Sequence, residues 1–280
     1  MRFGLNLANF GWLGDVAKLV ELALDAEAAG WDGFFLWDHV NWPGMGAHAD
    51  PWIALGVIAS RTEHLVLGTA VTPLSRRRPV KLAREVLTLD ALSGGRFVLG
   101  VGSGGGDPAE YGNVGEASEL RERAALLDEG LEAVRALCGE GAVDFEGRHH
   151  RVKTAAFGPP ASGRPVPIWV AATWPKPRPV SRAARFDGVM PILDPFTEQM
   201  TPQHVRELVA FVAERRDSDA PFDVAVSYAP WSDDPKDDVA TAAAYRDAGA
   251  TWYLEAGFPL PGGGGLERLR DHVRRGPPRD

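Results

Sequence analysis

The first guide to this sequence is what it lacks. It has one cysteine, Cys138, in 280 residues, so no internal disulfide can form and a reducing compartment, the cytoplasm, is expected. It lacks a basic excess. The formal net charge is −8, which argues against nucleic acid or an anionic membrane as a partner, because both need a cationic footprint. No stretch approaches the roughly 18 uninterrupted apolar residues of a membrane span. The opening "MRFGLNL" alternates like a buried strand and carries no apolar leader or cleavage site, so no export signal is expected.

Reactive groups are scarce too. There is no Gly-x-Ser-x-Gly elbow to present a serine nucleophile. The seven histidines, His39, His48, His64, His149, His150, His204 and His272, include no His-x-x-x-His or His-x-Glu spacing. The adjacent pair His149 and His150 would point to opposite faces of an extended chain, so no metal site is expected. Cys138 continues the apolar stripe of a helix and reads as structural. Lys18, Lys81, Lys153, Lys176 and Lys236 lie in helices or loops, and none ends a strand as a Schiff-base lysine would. With these chemistries missing, a bound cofactor is the natural source of reactivity.

What is present is a repeat of short apolar run, loop and amphipathic helix. "RFGLNL" (Arg2 to Leu7) precedes a helix over Asp15–Ala29, where Val16, Leu19, Val20, Ala23 and Ala26 recur at three and four residues and Gly30 ends it. "GFFLW" precedes a helix over Trp52–Ser60, "HLVLGTAV" (His64 to Val71) one over Pro79–Leu92, and "RFVLGVG" one over Ser118–Cys138. "VDFEGRHHRV" (Val143 to Val152) reads as a small hairpin around Glu146-Gly147, after the fourth helix. "VPIWVAA", "DGVMPI", "FDVAVSY" and "TWYLEAG" follow, separated by helices near Arg178–Arg185, Pro202–Arg216 and Asp238–Ala248. Apolar strands alternating with helices imply parallel pairing through right-handed crossovers. Eight such units make a (β/α)8 barrel, a single domain over residues 1–280, with a doubly wound open sheet as the alternative.

In such a barrel the site lies where strands end, in the loops leading to the helices. Those loops are "ANFGW", "DHVNW", "TPLSRRRP", "GSGGGDPAEYG" and "ATWPKPRP". His39 ends the second strand, and histidine is the side chain suited to exchange a proton near neutral pH. Asp38 beside it reads as an orienting or capping group. Trp12, Trp42 and Trp174 fall in three different loops and would wall a flat apolar site. In the run Gly100 to Pro108 the missing Cβ atoms would let a flat ring approach the backbone, although the spacing is no dinucleotide fingerprint. One arginine of "SRRRP" is expected to reach a phosphate, with the others solvated. "GFPLPGGGG" (Gly257 to Gly265) is either a lid or a plain connection.

The blocks "EAAGWDGFFLWDHV", "RTEHLVLGTAVTPLSRRRPVKLAREVLTLDALSGGRFVLGVGSG", "ERAALLDEGLEAVRAL", "FEGRHHRV" and "PVPIWVA" resemble, in order and spacing, the luciferase-like flavin-dependent oxidoreductases. The likeness covers roughly Met1 to Asp187. It implies a (β/α)8 barrel binding FMN or the deazaflavin F420 at the C-terminal face, with F420 favoured by His39. It also implies a non-prolyl cis peptide at Ala70–Val71. By the same resemblance His39 and Trp42 are the catalytic candidates. Asp38, Thr69, Ala70, Val71, Gly102, Ser103, Gly104, Ala172, Thr173 and Arg178 are the cofactor-binding ones, Thr173 and Arg178 beside a phosphate. The family's dehydrogenases carry a glutamate in the fourth loop, where this chain has glycine and offers Asp107 and Glu110 further on. They carry another acid in the first loop, where this chain has Asn9.

The resemblance thus implies hydride transfer between F420 and a small organic substrate. The alternative is a monooxygenase using reduced FMN and oxygen on the same scaffold. A lyase, isomerase or non-catalytic flavin carrier is the third reading, because fold alone does not choose between them. A homodimer, formed through the helices after strands 1 to 3, and a separate flavin or F420 reductase are the implied partners.

Overall fold

The computed structural model describes residues 1–193, 199–229, 231–232, 234–257 and 265–279. In chain order its elements are β1 (Arg2–Leu7), α1 (Val16–Ala28), β2 (Gly33–Leu36), α2 (Pro51–Ala59), β3 (Val66–Thr69), β4 (Thr72–Pro73), α3 (Pro79–Ser93), β5 (Phe97–Gly102) and α4 (Leu120–Leu137). There follow β6 (Ala142–Glu146), β7 (Arg151–Ala155), β8 (Ile168–Trp174), α5 (Pro177–Ala183), β9 (Gly188–Leu193), α6 (Pro202–Ala213), β10 (Asp223–Ala229), α7 (Pro235–Asp247), β11 (Trp252–Gly257) and α8 (Gly265–Arg275).

The strands pair in parallel in the order β1, β2, β3, β5, β8, β9, β10, β11, and β11 returns to β1, so the sheet closes as a barrel. The helices start where the sequence supplies caps. Asp15 accepts from the Ala17 N–H at α1, and Asp50 accepts from the Trp52 and Ile53 N–H groups at α2, where Pro51 takes the first turn. Gly94, at φ 66, ends α3 in the left-handed conformation that favours glycine.

Alternation along each strand sorts the core into two layers. Leu5, Leu7, Phe34, Leu36, Leu67, Leu99, Val101, Val170, Val189 and Tyr253 face the helices in the large outer cluster. Phe35, Ala70, Val98, Trp169, Met190, Ala225, Trp252 and Leu254 fill the barrel itself. There Phe35 stacks on Trp169 at 5.4 Å, and Trp252 meets both rings edge-on at 5.6 and 5.4 Å. This aromatic plug closes the lower barrel and leaves the C-terminal mouth above it.

Three features differ from expectation or extend it. The third strand stops at Thr69 rather than Val71, the Ala70–Val71 peptide is cis, and the chain resumes as β4. Helix α8 follows the last strand. β6 and β7 pair antiparallel, Glu146 against Arg151, after α4. Of the "GFPLPGGGG" connection (Gly257 to Gly265), residues 258–264 lie outside the described residues. Among those described, no helix is long and apolar enough to cross a membrane.

Candidate active site

Asp38 and His39 follow β2 and, as neighbours in an extended segment, turn opposite ways. Asp38 turns outward and is buried. It accepts hydrogen bonds from Trp52 Nε1 (3.2 Å), Thr72 Oγ1 (2.8 Å) and Arg77 Nη2 (2.7 Å), and its backbone carbonyl accepts from Arg76. Its carboxylate is thus consumed in tying β2 to α2 and to the segment before α3. The arginines of "SRRRP" therefore do other work than expected. Arg76 and Arg77 neutralise carboxylates inside the protein, and Arg78, exposed at the start of α3, is the solvated one.

His39 turns toward the mouth with its side chain 27% exposed, and its Nδ1 lies 2.8 Å from Glu110 Oε2. Glu110 comes from the loop after β5, where Asp107 caps a short helical turn by accepting from the Ala109 N–H. Its other oxygen accepts from the Val40 N–H (2.9 Å) and Arg76 Nη1 (3.2 Å). Burial pushes the Glu110 carboxyl up, but the His39 hydrogen bond and charge, the Arg76 guanidinium and the Val40 N–H outweigh it and hold the group at about 2. Near neutral pH the carboxylate is therefore an acceptor only, so Nδ1 of His39 carries a hydrogen, and in a neutral imidazole Nε2 is then the nitrogen with the lone pair. In the sequence Glu110 stands further along the fourth loop than its glycines. The turn begun at Asp107 brings it back.

The loops after β1 and β2 are joined. Asn9 is fully buried; its amide nitrogen donates to the carbonyls of His39 and Ala49, both at 2.8 Å, and its oxygen accepts from the His39 N–H at 3.2 Å. Every strong bond the amide can make here is spent on backbone, so Asn9 clamps His39 rather than replacing an acid. Phe10 packs against His39, Trp42 and His48 at 5.6, 5.1 and 5.5 Å, and Trp42 meets the His39 ring at 4.8 Å. Trp37 lies 5.7 Å from His39 and donates its Nε1–H to the buried oxygen of Asn6.

A flat cofactor needs a floor without projecting side chains. After the cis peptide, Ala70 and Val71 sit beside Gly102, whose imagined Cβ would fall 3.0 Å from Val71 Cγ2 and 3.2 Å from Ala171 Cβ. A side chain at Gly102 would fill the floor, and its absence keeps the floor shallow. Ser103 anchors the next loop, its carbonyl accepting from Ser75 Oγ (3.0 Å) and Arg123 Nε (3.2 Å). Gly104, at φ 76, lets the buried Tyr111 hydroxyl approach to 1.5 Å from where a Cβ would stand. A small-residue floor walled by His39 and Trp42 fits an isoalloxazine-like ring.

Other sequence-based candidates fall elsewhere. The Thr69 hydroxyl donates to the Gly100 carbonyl at 2.6 Å and is spent on strand pairing. Ala172 and Trp174 face outward from β8 into the helical layer, Trp174 meeting Phe211 at 5.8 Å, so neither side chain lines the mouth. Thr173 lies on the same face of β8 as Trp169, and Arg178 is exposed in the first turn of α5. Trp12 leans into the outer core rather than walling the site. Among the described residues no group of three or more His, Cys, Asp or Glu side chains is placed to hold a metal.

Comparison with known proteins bears on the family and the fold. The chain is 39% identical over 163 residues to the F420-dependent glucose-6-phosphate dehydrogenase of Mycolicibacterium smegmatis, a match covering 56% of this chain and 48% of that protein. The chain thus spans about half the length of that relative. It is 33% identical over 244 residues to the protein of the same name from Microbacterium testaceum, covering 83% and 70%. A solved F420-dependent secondary alcohol dehydrogenase, in complex with an F420–acetone adduct, superposes over 100% of this chain and 99% of its own with TM-score 0.78 at 15% identity, a likeness of fold. The luciferase-like monooxygenase family profile matches residues 1–274; with the closed barrel and its walled mouth, the chain belongs to that family.

Proposed function

We propose that this chain transfers hydride between F420 and a small organic hydroxyl or carbonyl compound, with His39 as the proton partner. The observation that carries the reading is the 2.8 Å contact from His39 Nδ1 to Glu110 at the barrel mouth. F420, when bound, supplies the two-electron acceptor or donor. With Nδ1 donating to Glu110, the neutral imidazole takes the proton of a substrate hydroxyl on Nε2 as the substrate carbon loses hydride, and returns it in the reverse direction. Glu110 stabilises the imidazolium so formed and fixes the ring's orientation. Trp42 walls the substrate against His39. Ala70, Val71, Gly102, Ser103 and Gly104 are the proposed bed of the ring, and Thr173 and Arg178, at the end of β8 and the start of α5, are the proposed partners of a phosphate. Asp38, Thr69 and Ala172 act from behind, by holding the backbone that forms the site.

A titration with F420 and, separately, FMN tests the cofactor. Micromolar binding of F420 alone is expected. Micromolar binding of FMN alone would select the oxygen-using alternative that the family name suggests. His39→Ala should bind F420 nearly as the parent does and lose turnover by about 10²-fold or more; unchanged turnover removes His39 from the chemistry. Relatives named for glucose 6-phosphate make hydroxyl-bearing sugars the first compounds to try.

The proposal includes a second copy of the chain as partner. Helix α2, "PWIALGVIA", carries no charged residue, yet Ile53 is 66% and Val57 39% exposed. A helix apolar on all faces needs covering. Sedimentation should give a dimer, and Ile53→Glu should shift it to monomer. A separate reductase would recycle the cofactor, and the single cysteine suits a cytoplasmic location.

A further inference from the structure

We propose that His48 is a positioning residue, holding Trp42 against His39 by using both of its ring nitrogens at once. The inference extends the functional reading above and rests on it only for its consequence in catalysis. His48 Nε2 accepts the backbone N–H of Trp42 at 2.8 Å. Its Nδ1 lies 2.9 Å from the carbonyl of Gly46. A carbonyl can only accept, so Nδ1 carries the hydrogen, and Nε2 then holds the lone pair that the Trp42 amide needs. The two contacts define one neutral tautomer and leave no choice of proton position.

The ring is itself held in place. It packs on Phe10 at 5.5 Å, and an isolated antiparallel bridge joins Phe10 and His48. On either side of that bridge the Gly11 N–H donates to Ala47 (2.9 Å) and the Ala49 N–H to Asn9 (2.8 Å). The anchored end of the loop is thus residues 47–49, tied to the segment after β1. Trp42 lies six residues back along an exposed stretch that includes Gly44 at φ 80 and Gly46 at φ 75. The Met45 N–H closes a turn onto the Trp42 carbonyl at 3.2 Å, and His48 holds its N–H. Trp42 itself remains 38% exposed, with its ring on Phe10 and His39 at 5.1 and 4.8 Å. So little burial does not by itself fix an indole. The imidazole bridge sets where the Trp42 backbone stands, and so how its ring meets His39.

Side chains of chosen reach separate this role from packing. In His48→Gln the amide oxygen stands as many bonds from the backbone as Nε2 and can accept the Trp42 N–H. In His48→Asn the amide reaches only the Gly46 carbonyl. His48→Phe keeps a ring on Phe10 but has no acceptor. The test is hydrogen exchange of the Trp42 amide in cofactor-free protein, with ¹⁹F NMR of 5-fluorotryptophan protein, the Trp42 signal assigned by Trp42→Phe. The parent and His48→Gln should keep the amide protected and the Trp42 signal dispersed. His48→Phe, His48→Asn and His48→Ala should exchange tenfold or more faster, with the signal moved toward that of a solvent-exposed indole. Protection in His48→Phe equal to the parent, or loss of protection in His48→Gln equal to His48→Ala, would overturn the proposal. Neither readout needs bound F420, so a failure of F420 to bind would count against the functional reading alone.

Discussion

Glu110→Gln removes one charge from the mouth while keeping nearly the same shape. In the parent the carboxyl is moved from its ordinary 4.5 to about 2. At about 1.36 kcal/mol per pKa unit this corresponds to at most about 3 kcal/mol of preference for the ionised form in the folded state. His39, the main partner, is partly exposed, and water screens part of that interaction, so about 1–3 kcal/mol is the expected loss at neutral pH. The folded-state value lies below the unfolded one, so the stabilisation is complete above about pH 5 and is lost as pH falls from 4.5 toward 2. Urea unfolding followed by tryptophan fluorescence, at pH 7, 5.5, 4 and 3, gives the parent-minus-variant difference directly. The gap should narrow between pH 5.5 and 3 as Glu110 and its unfolded counterpart protonate. A gap that stays constant down to pH 3, or widens there, would refute the assignment of Glu110 as an ionised partner of His39.

Three other outcomes follow from the same contacts. Asn9→Ala strips the partners from the His39 and Ala49 carbonyls and the His39 N–H, so it should lower unfolding stability by about 2–4 kcal/mol, with Asn9→Asp no better because its carboxylate faces two carbonyls. Gly104→Ala sets a methyl against the Tyr111 hydroxyl at a positive φ and should cost more than about 2 kcal/mol in denaturant unfolding, whereas Gly105→Ala, with open space around it, should be near neutral. Burial raises the Cys138 thiol to about 12, so a thiol-specific reagent at pH 8 should modify it only as the chain unfolds; rapid labelling of folded protein would contradict that.

Much of the fold is legible because buried parallel strands and amphipathic helices write themselves as runs and stripes. All eight barrel strands are visible that way, with helix ends within a few residues of the observed ones. Helix α8 escaped because its apolar stripe is thin: Leu266, Leu269 and Val273 stand among arginines and acids. The side-chain directions on β8 were available and unused. Residues an even number of positions from the inward Trp169 share its face, which admits Thr173 and sends Ala172 and Trp174 outward. Glu110 was harder, since it lies 71 residues from His39 and reaches it only through a turn that Asp107 starts. No local pattern announces a partner at that distance. The cis peptide at Ala70–Val71 was legible only through resemblance.

The clamp by Asn9 has a consequence for how this scaffold can be remodelled. The first two loops of the rim are sewn together by main-chain bonds, with one amide at the seam and an aromatic ring beneath it. Lengthening either loop alone would tear three backbone contacts at once and dislodge His39. Directed evolution that randomises those loops should return few active clones. Among the described residues, those after β8 take no part in the bonds made by Asn9. New substrate scope is best sought there, with the proton-handling half kept as a fixed module.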